Sequence, residues 1–192
     1  MVWLIVSLSY FLGAIPAAYI AGQLFRGRDI RQLENGNVGA ANAFRQFGAK
    51  IGIAVFFIDA GKGALAILIA QTANLPLAAV MFAGVAAVIG HNWSVFIGFK
   101  GGRGESTTIG VLLTLITQPM LILAAPTLAT LFIKRKVIRA SYVLFIPLPL
   151  VCWWLGVPGV LVGYGIALPC LVGISDFVKN RQLVRISRAG SA

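Results

Sequence analysis

The stretch Phe99-Lys100-Gly101-Gly102-Arg103-Gly104-Glu105-Ser106-Thr107-Thr108 separates two strongly apolar segments. Three glycines in four positions leave backbone N–H groups uncovered, and Lys100 and Arg103 bring positive charge to the same place. Hydroxyl side chains follow, where we expect a helix to begin. Exposed N–H groups, basic side chains and a helix N-terminus together favour an anion, most naturally a phosphate. The alternative is a flexible loop whose two charges only mark its side of the membrane.

The composition around this stretch is that of a membrane protein. Of the 192 residues, 59% are apolar and 11% are charged, and the mean hydropathy is +0.91. A soluble domain carries about a quarter charged residues, so this class is excluded. Long apolar runs interrupted by Gly and Pro favour helices, because the strands of a membrane barrel alternate in short stretches. We therefore predict one all-α membrane domain over residues 1–192.

Seven apolar segments are expected to cross the membrane. They are Val2 to Phe25, Ile51 to Ala70, Leu77 to Ile97, Thr107 to Thr117, Met120 to Ile133, Ala140 to Leu155 and Val160 to Phe177. The fourth and fifth are short for a full span of about 20 residues, so we expect them to borrow flanking residues, tilt or re-enter. The sequence predicts a polar loop over residues 26–50 and a turn at Gln118-Pro119.

The positions of the basic residues agree with these seven crossings. The net charge of +11 alone would fit nucleic-acid binding, but all Lys and Arg except Lys62 lie in residues 26–50, 100–105, 134–139 or the tail. The connections at 71–76, 118–119 and 156–159 carry none. Seven crossings thus place every basic connection on one face, as the positive-inside rule requires. We predict an N-terminus outside, a cytoplasmic C-terminus, attraction to anionic lipids and no nucleic-acid partner.

A second polar stretch, Asn35-Gly36-Asn37-Val38-Gly39-Ala40-Ala41-Asn42, lies in the first basic connection and is followed by Arg45. Glycine tolerates positive φ, amide side chains donate hydrogen bonds, and an arginine can grip a phosphate through two parallel bonds. The alternative is a cytoplasmic turn with a solvated arginine. Because both stretches lie on the same predicted face, we interpret them as parts of one phosphate site.

The residues from Asn37 to Asn42 resemble the GNxGATN element of the bacterial acyl-phosphate-dependent glycerol-3-phosphate acyltransferases, the PlsY family. Tyr10 to Pro16 resembles its YLLGSIP, and Asp59 to Gly63 its D-x-x-K-G. Gly90-His91, followed by residues 95–104, resembles its GH…PVFxGFKGGKG. The matches keep the family's order along nearly the whole chain. The resemblance implies a small seven-helix protein with its N-terminus outside.

The resemblance also implies a reaction. An acyl phosphate gives its fatty acyl group to the 1-hydroxyl of glycerol 3-phosphate, and lysophosphatidic acid and phosphate are the products. The implied place is the bacterial inner membrane, among its lipids, with the active site at the cytoplasmic face. No metal-ligand cluster or cofactor motif occurs in the sequence, so we expect neither, and no obligatory protein partner is inferred. The alternatives are a diverged member that binds phosphate ligands without this activity, and a small-anion or lipid transporter.

The site residues are carried over by the matching motifs. Arg45, Arg103 and Ser141 are expected to be catalytic. The backbone amides of residues 101–104 are expected to assist in phosphate binding. The residues expected to bind substrate or phosphate are Asn35, Gly36, Asn37, Asn42, Arg45, Lys100, Gly101, Gly102, Arg103, Gly104, Gln182 and Arg185.

No side-chain general base is evident. His91 is the single histidine, and Phe96 stands five residues later, which excludes the acyltransferases that use His-x-x-x-x-Asp. We interpret His91 as structural. The second pKa of a phosphate is near 6, so a substrate phosphate can itself take the hydroxyl proton. Asp59 and Lys62 share a helical face and are predicted to form a structural salt bridge, although an intramembrane ionisable pair is also a functional candidate.

Several positions depart from the family pattern. Arg103 replaces a lysine, Glu105 replaces a valine, and Ile138 replaces a serine in the third motif. In the tail, Lys179 stands for a histidine and Gln182 for an asparagine. Glu105 brings an anion next to the proposed phosphate site, which should weaken binding unless a basic group pairs with it.

Overall fold

The computed structural model describes the backbone of residues 1–189 and the side chains of residues 1–179 and of Arg181. The described chain is helical throughout, and single 3-10 turns at Ile30–Gln32 and Val95–Ile97 lie in its connections. The α-helices are α1 (Val2–Ala14), α2 (Ala17–Arg26), α3 (Ala40–Phe47), α4 (Ala49–Thr72), α5 (Leu77–Asn92), α6 (Glu105–Leu115), α7 (Thr117–Lys134), α8 (Val137–Phe145), α9 (Leu148–Trp154) and α10 (Gly159–Ala189).

The predicted all-α membrane fold is confirmed. Within the described residues, six stretches are long and apolar enough to cross a membrane: Val2–Arg26, Ala49–Thr72, Leu77–Ile97, Thr117–Lys134, Val137–Trp154 and Gly159–Lys179. Each of the seven predicted segments contains helix. The fifth borrows flanking residues to reach 18, whereas the fourth forms α6, which has only 11 residues. The orientation of the chain stays a prediction.

Two predicted connections differ from the structure. Gln118-Pro119 is not a turn, because both residues lie in the first turn of α7 and the chain bends instead at Ile116. A proline is tolerated there because N–H groups in the first helical turn need no intrahelical partner. The connection over residues 26–50 is not all loop, since it contains α3. Gly39 precedes that helix in an extended conformation, and Gly48, with φ of 91°, follows it.

Small residues allow the helices to approach closely. α1 packs along α5 and α4 packs along α6. A Cβ atom added at Gly13 would lie 2.0 Å from the carbonyl oxygen of Ala87, and one at Gly110 would lie 1.9 Å from that of Ala60. Close backbone approach at small residues is the usual way in which membrane helices associate. These two contacts fix the packing of the helices that support the connections with basic residues.

Two apolar clusters hold the molecule together. The larger lies between α4, α5, α6 and α10 and has Ile67, Leu112 and Leu168 among its most buried members. The smaller joins residues of the connection over residues 26–50, among them the almost fully buried Ile30 and Val38, to α2 and α4. Because this second cluster anchors the connection to the bundle, the polar stretch within it is fixed in place.

Candidate active site

The two glycine-containing stretches meet in the folded chain. A Cβ atom added at Gly102 would lie 2.6 Å from the carbonyl oxygen of Val38, so the first stretch packs against the backbone of the second. Nearby, Arg31 donates from Nη1 to the carbonyl oxygen of Ile97 over 3.4 Å. Segments more than 60 residues apart in sequence are therefore in contact at this place.

Glycine is required in the stretch from Phe99 to Thr108 by close packing and by backbone conformation. A Cβ atom at Gly101 would lie 2.1 Å from the carbonyl oxygen of His91, and one at Gly102 would lie 2.1 Å from the His91 Nε2 atom. Gly104, with φ of 85°, occupies the left-handed region and is followed by the first residue of α6. We call residues 98–104 the glycine-rich loop.

The backbone N–H groups of this loop do not all point to a common ligand. The N–H group of Gly102 donates to the carbonyl oxygen of His91 over 3.0 Å, so one of the amides expected to bind phosphate is used inside the protein. The first hydrogen bond across the start of α6 runs from Thr108 to Gly104 over 2.8 Å. The N–H groups of residues 105–107 have no acceptor in the preceding helical turn, so they are the stronger candidates for an anion.

Arg103 leaves the loop towards the last helix. Its Nε atom lies 2.7 Å from Oδ1 of Asp176 in α10, with side-chain exposures of 22% and 35%. Asp176 was not among the site residues predicted from the sequence. The sequence shows it only as an acidic residue near the end of an otherwise apolar segment. Its partner Arg103 is 73 residues away in sequence, so only the folded structure identifies the pair.

The asparagines of the stretch from Asn35 to Asn42 shape its backbone. Asn42 is fully buried, and its Nδ2 atom donates to the carbonyl oxygens of Asn37, over 2.9 Å, and Leu33, over 3.4 Å. The Asn35 side chain accepts from the Asn37 N–H group over 3.2 Å, and Gly36 has φ of 65°. These contacts give Asn35 and Asn42 a clear role in holding the turn.

Arg45, which lies in α3, forms an ion pair with Glu34, with 2.7 Å between Nε and Oε2. Both side chains are substantially exposed, at 45% and 39%, so the pair is worth no more than about 1 kcal/mol. A weak pair of this kind can open readily when a phosphate competes for the guanidinium group.

Lys100 lines a cavity of about 340 Å³ together with Arg31, which was not among the site residues predicted from the sequence. The lining residues of this cavity are Tyr19, Arg31, Phe96, Ile97, Gly98 and Lys100. The Arg31 guanidinium group lies 4.8 Å from the centre of the Tyr19 ring. Arg31 and Lys100 thus line a single basic cavity at the junction of the two stretches. The short spacing of Asp29 and Arg31 was the only sequence signal for this arrangement.

Asp29 fixes Arg31 in that cavity. Its carboxylate lies 2.7 Å from Nη2 of Arg31 and also accepts the backbone N–H group of Arg31 over 2.9 Å. Hydrogen bonding to Arg31 lowers the pKa of Asp29 below its ordinary value, and the same bond raises the pKa of Arg31. The pair therefore stays ionised above the ordinary carboxyl pKa, and it is lost only as pH falls through the lowered value.

Ser141 reaches the start of α6 from α8. Its hydroxyl donates to the Glu105 carboxylate, and it is also 2.9 Å from the carbonyl oxygen of Val137. Glu105 in turn interacts electrostatically with Arg103 and Asp176. Ser141 is thus brought to the same end of α6 as the glycine-rich loop, although its contact there is with the carboxylate that departs from the family pattern.

The predicted contact between Asp59 and Lys62 is present and completely buried. Lys62 Nζ lies 2.8 Å from Asp59 Oδ1 and also donates to the carbonyl oxygen of Ile15, over 3.0 Å, at the break between α1 and α2. His91 Nδ1 lies 3.5 Å from the same carboxylate oxygen. Because the other side of the His91 ring touches Gly102, this cluster lies directly beneath the glycine-rich loop. A structural role for all three residues stays our prediction.

The tail contributes one described contact to the site. Lys179 donates from Nζ to backbone carbonyl oxygens at the end of α5 and in the glycine-rich loop. The side chains of Gln182 and Arg185, both predicted to bind substrate, lie outside the described residues. Among the described residues, no group of three or more His, Cys, Asp or Glu side chains is arranged to hold a metal ion.

Comparison with known proteins gives a consistent result. The family profile described as "Glycerol-3-phosphate acyltransferase" matches residues 3–186. "Glycerol-3-phosphate acyltransferase 4" of Dehalococcoides mccartyi is 50% identical over 179 residues, which are 93% of this chain and 97% of the relative. "Glycerol-3-phosphate acyltransferase 1" of the same organism is 37% identical, over 93% of this chain and 88% of the relative.

Solved structures agree with the sequence relatives. The fold matches the crystal structure of PlsY (YgiH), an integral membrane glycerol 3-phosphate acyltransferase, in its glycerol 3-phosphate form. The TM-score is 0.82 with 31% identity, over 98% of this chain and 92% of the other. The lysophosphatidic acid form of PlsY matches with a TM-score of 0.76 and 29% identity, over the same shares of the two chains.

Proposed function

The chain belongs to the glycerol-3-phosphate acyltransferase family and is an acyltransferase, and from this premise we propose how its site performs the transfer. The donor is an acyl phosphate, and the acceptor is the 1-hydroxyl of glycerol 3-phosphate. The hydroxyl oxygen attacks the acyl carbon, the bond from that carbon to the phosphate oxygen breaks, and lysophosphatidic acid and inorganic phosphate leave. The observation that carries this proposal is the junction of the two glycine-containing stretches at Val38 and Gly102.

Two neighbouring positions in the proposed site suit the two phosphate groups. One is the start of α6, where the N–H groups of residues 105–107 and the Arg103 side chain lie. The other is the cavity shared by Arg31 and Lys100. Arg45, from the first basic connection, is assigned to the same phosphate as Arg103. Backbone N–H groups and fixed cations stabilise the charge that moves onto the leaving phosphate. Both positions lie on the basic side of the bundle, which we place at the cytoplasmic face of the bacterial inner membrane.

The proton of the attacking hydroxyl goes to a substrate phosphate in this mechanism. His91 is buried beneath Gly102 and contacts Asp59, so it is badly placed to act as the base. A phosphate dianion is lost below its second pKa near 6, so kcat should fall as pH drops through that value. An acceptor analogue whose phosphate group has a lower pKa should move the profile by the same amount. A profile set by a protein side chain, and unchanged with the analogue, would exclude this route.

The proposed function is tested with purified protein in detergent or vesicles. Labelled glycerol 3-phosphate and an acyl phosphate should yield labelled lysophosphatidic acid, and acyl-coenzyme A should not replace the acyl phosphate. Absence of product with glycerol 3-phosphate binding retained would identify a diverged member. Phosphate flux into protein-containing liposomes, again without product, would identify a transporter.

A further inference from the structure

The end of α10 carries two ionisable residues one helical turn apart. Asp176 and Lys179 lie three positions apart and therefore project from the same face. Within Gly159–Lys179, which is long and apolar enough to cross a membrane, they are the two charged side chains. A charged side chain in such a segment costs free energy unless it pairs with a specific partner. Both have partners in the glycine-rich loop or next to it.

Lys179 binds the backbone of the loop. Its Nζ atom donates to the carbonyl oxygens of Asn92 and Gly101, each over 3.0 Å, and to that of Gly102. An ammonium group has three N–H donors and no acceptor, so these three carbonyl oxygens use its full capacity. Gly101 and Gly102 are buried. Without the ammonium group, their carbonyl oxygens would lose this partner, at a cost of about 1–3 kcal/mol for each one left unsatisfied.

This contact also sets the direction of the next N–H group. In a trans peptide the C=O and the following N–H point in opposite directions. The Gly102 carbonyl group faces Lys179, so the N–H group of Arg103 faces away from α10. Lys179 therefore determines which side of the loop presents donors and which side presents acceptors.

Asp176 acts on the side chain of the same loop. Its carboxylate lies 2.7 Å from the Nε atom of Arg103, which fixes the direction in which the guanidinium group leaves the backbone. One face of α10 thus contacts the loop at two places. It binds the main chain at Gly101 and Gly102, and it binds the side chain of Arg103.

We infer that Asp176 and Lys179 are positioning residues for acyl transfer, which hold the glycine-rich loop in its working shape by docking the end of α10 against it. The inference rests on the proposed function for its kinetic readout. Neither residue needs to touch the reacting atoms, because each acts through the loop. The N–H group and the side chain of Arg103 keep their direction only while α10 is in place.

The kinetic test compares four variants of the full chain. Lys179→Met keeps the length of the side chain and removes its donors, and Asp176→Asn keeps its shape and removes the charge. Arg181→Met is the matched control, since the Arg181 guanidinium group lies over the Phe177 ring, at 4.6 Å from its centre, and not on the loop. We expect kcat to fall up to about 100-fold in Lys179→Met, the scale of a small misplacement of the site.

The variants should also differ in which constant changes. Asp176→Asn loosens the Arg103 side chain, so we expect the KM for glycerol 3-phosphate to rise more than kcat falls. Lys179→Arg keeps donors within reach of the carbonyl oxygens, so it should recover part of the kcat lost in Lys179→Met. Arg181→Met should match the wild type. Wild-type kinetics in both Lys179→Met and Asp176→Asn would overturn the inference.

A measurement without catalysis separates this inference from the proposed function. Amide hydrogen exchange in the peptide covering residues 98–104 should be faster in Lys179→Met than in the wild type and in Arg181→Met. If the wild type makes no lysophosphatidic acid, the proposed function fails, while the exchange result still decides whether α10 holds the loop. Unchanged exchange in Lys179→Met and Asp176→Asn would refute the role. If Lys179→Met does not fold, Asp176→Asn carries the comparison with the wild type and Arg181→Met.

Discussion

Arginines around the site are each held by a carboxylate. The ion pairs, each 2.7 Å long, are Arg31–Asp29, Arg45–Glu34 and Arg103–Asp176. Carboxylate and phosphate oxygens bind a guanidinium group in similar ways. The carboxylates therefore keep the guanidinium groups extended and oriented, and a phosphate with more charge can compete for them.

Glu105 differs from these carboxylates because its described hydrogen bond is to the hydroxyl of Ser141. We predict that Glu105→Gln lowers the KM for glycerol 3-phosphate by about 2- to 5-fold, since removal of a partly screened charge is worth up to about 1 kcal/mol. The amide can still accept from Ser141, so folding should be unaffected. Steady-state kinetics at low and high salt check this. The gain should shrink as salt rises, and a higher KM in the variant would show that Glu105 supports binding.

Asn42 holds the backbone of its turn, and its contact with substrate stays a prediction. We predict that Asn42→Ala lowers the thermal midpoint of the purified protein, because the carbonyl oxygens of Leu33 and Asn37 lose their donor, at about 1–3 kcal/mol in total. Thermal unfolding in detergent measures the change, with Gln71→Ala at the exposed end of α4 as a control. An unchanged midpoint together with reduced substrate affinity would instead favour direct binding.

At the scale of elements, the glycine-rich loop depends on close contact with the end of α5. We predict that Gly102→Ala reduces kcat/KM at least about 10-fold, because the added Cβ atom would lie 2.1 Å from the His91 ring and force the loop to move. Gly61→Ala is the matched control, since an added Cβ atom there meets no atom within 4 Å. Acyl-transfer kinetics of both variants provide the test. Full activity in Gly102→Ala would show that the loop tolerates displacement.

The sequence was most informative about elements and least about partners. Apolar runs located the membrane helices, and glycine spacing located the loop before α6. The extent of α3 was missed because the helix has only eight residues and lies within a polar connection. Asp176 was missed because its role depends on an ion pair with Arg103, a residue far away in sequence. Ion pairs between distant segments leave no local pattern, so only the folded chain reveals them.

At the scale of the whole molecule, the basic connections are predicted to face the cytoplasm. A single cysteine at Asn74, in a cysteine-free background, should react with an impermeant thiol reagent on intact cells. A single cysteine at Arg135 should react only after the membrane is permeabilised, because the positive-inside rule places its connection in the cytoplasm. Labelling of both positions from outside, or the reverse pattern, would contradict the predicted orientation. Wild-type Cys152 and Cys170 must be replaced first, since both are free thiols.

The central claim is that arginines from two separate connections serve one phosphate pocket, and a double-mutant cycle tests it most directly. Glycerol 3-phosphate affinity is measured for the wild type, Arg45→Met, Arg103→Met and the double variant. Each single variant should bind about 10- to 100-fold more weakly, the worth of hydrogen bonds to a charged group. Groups that share a ligand couple by about 0.5–3 kcal/mol, so the double variant should lose clearly less than the product of the single losses. Losses that multiply independently would contradict a shared pocket.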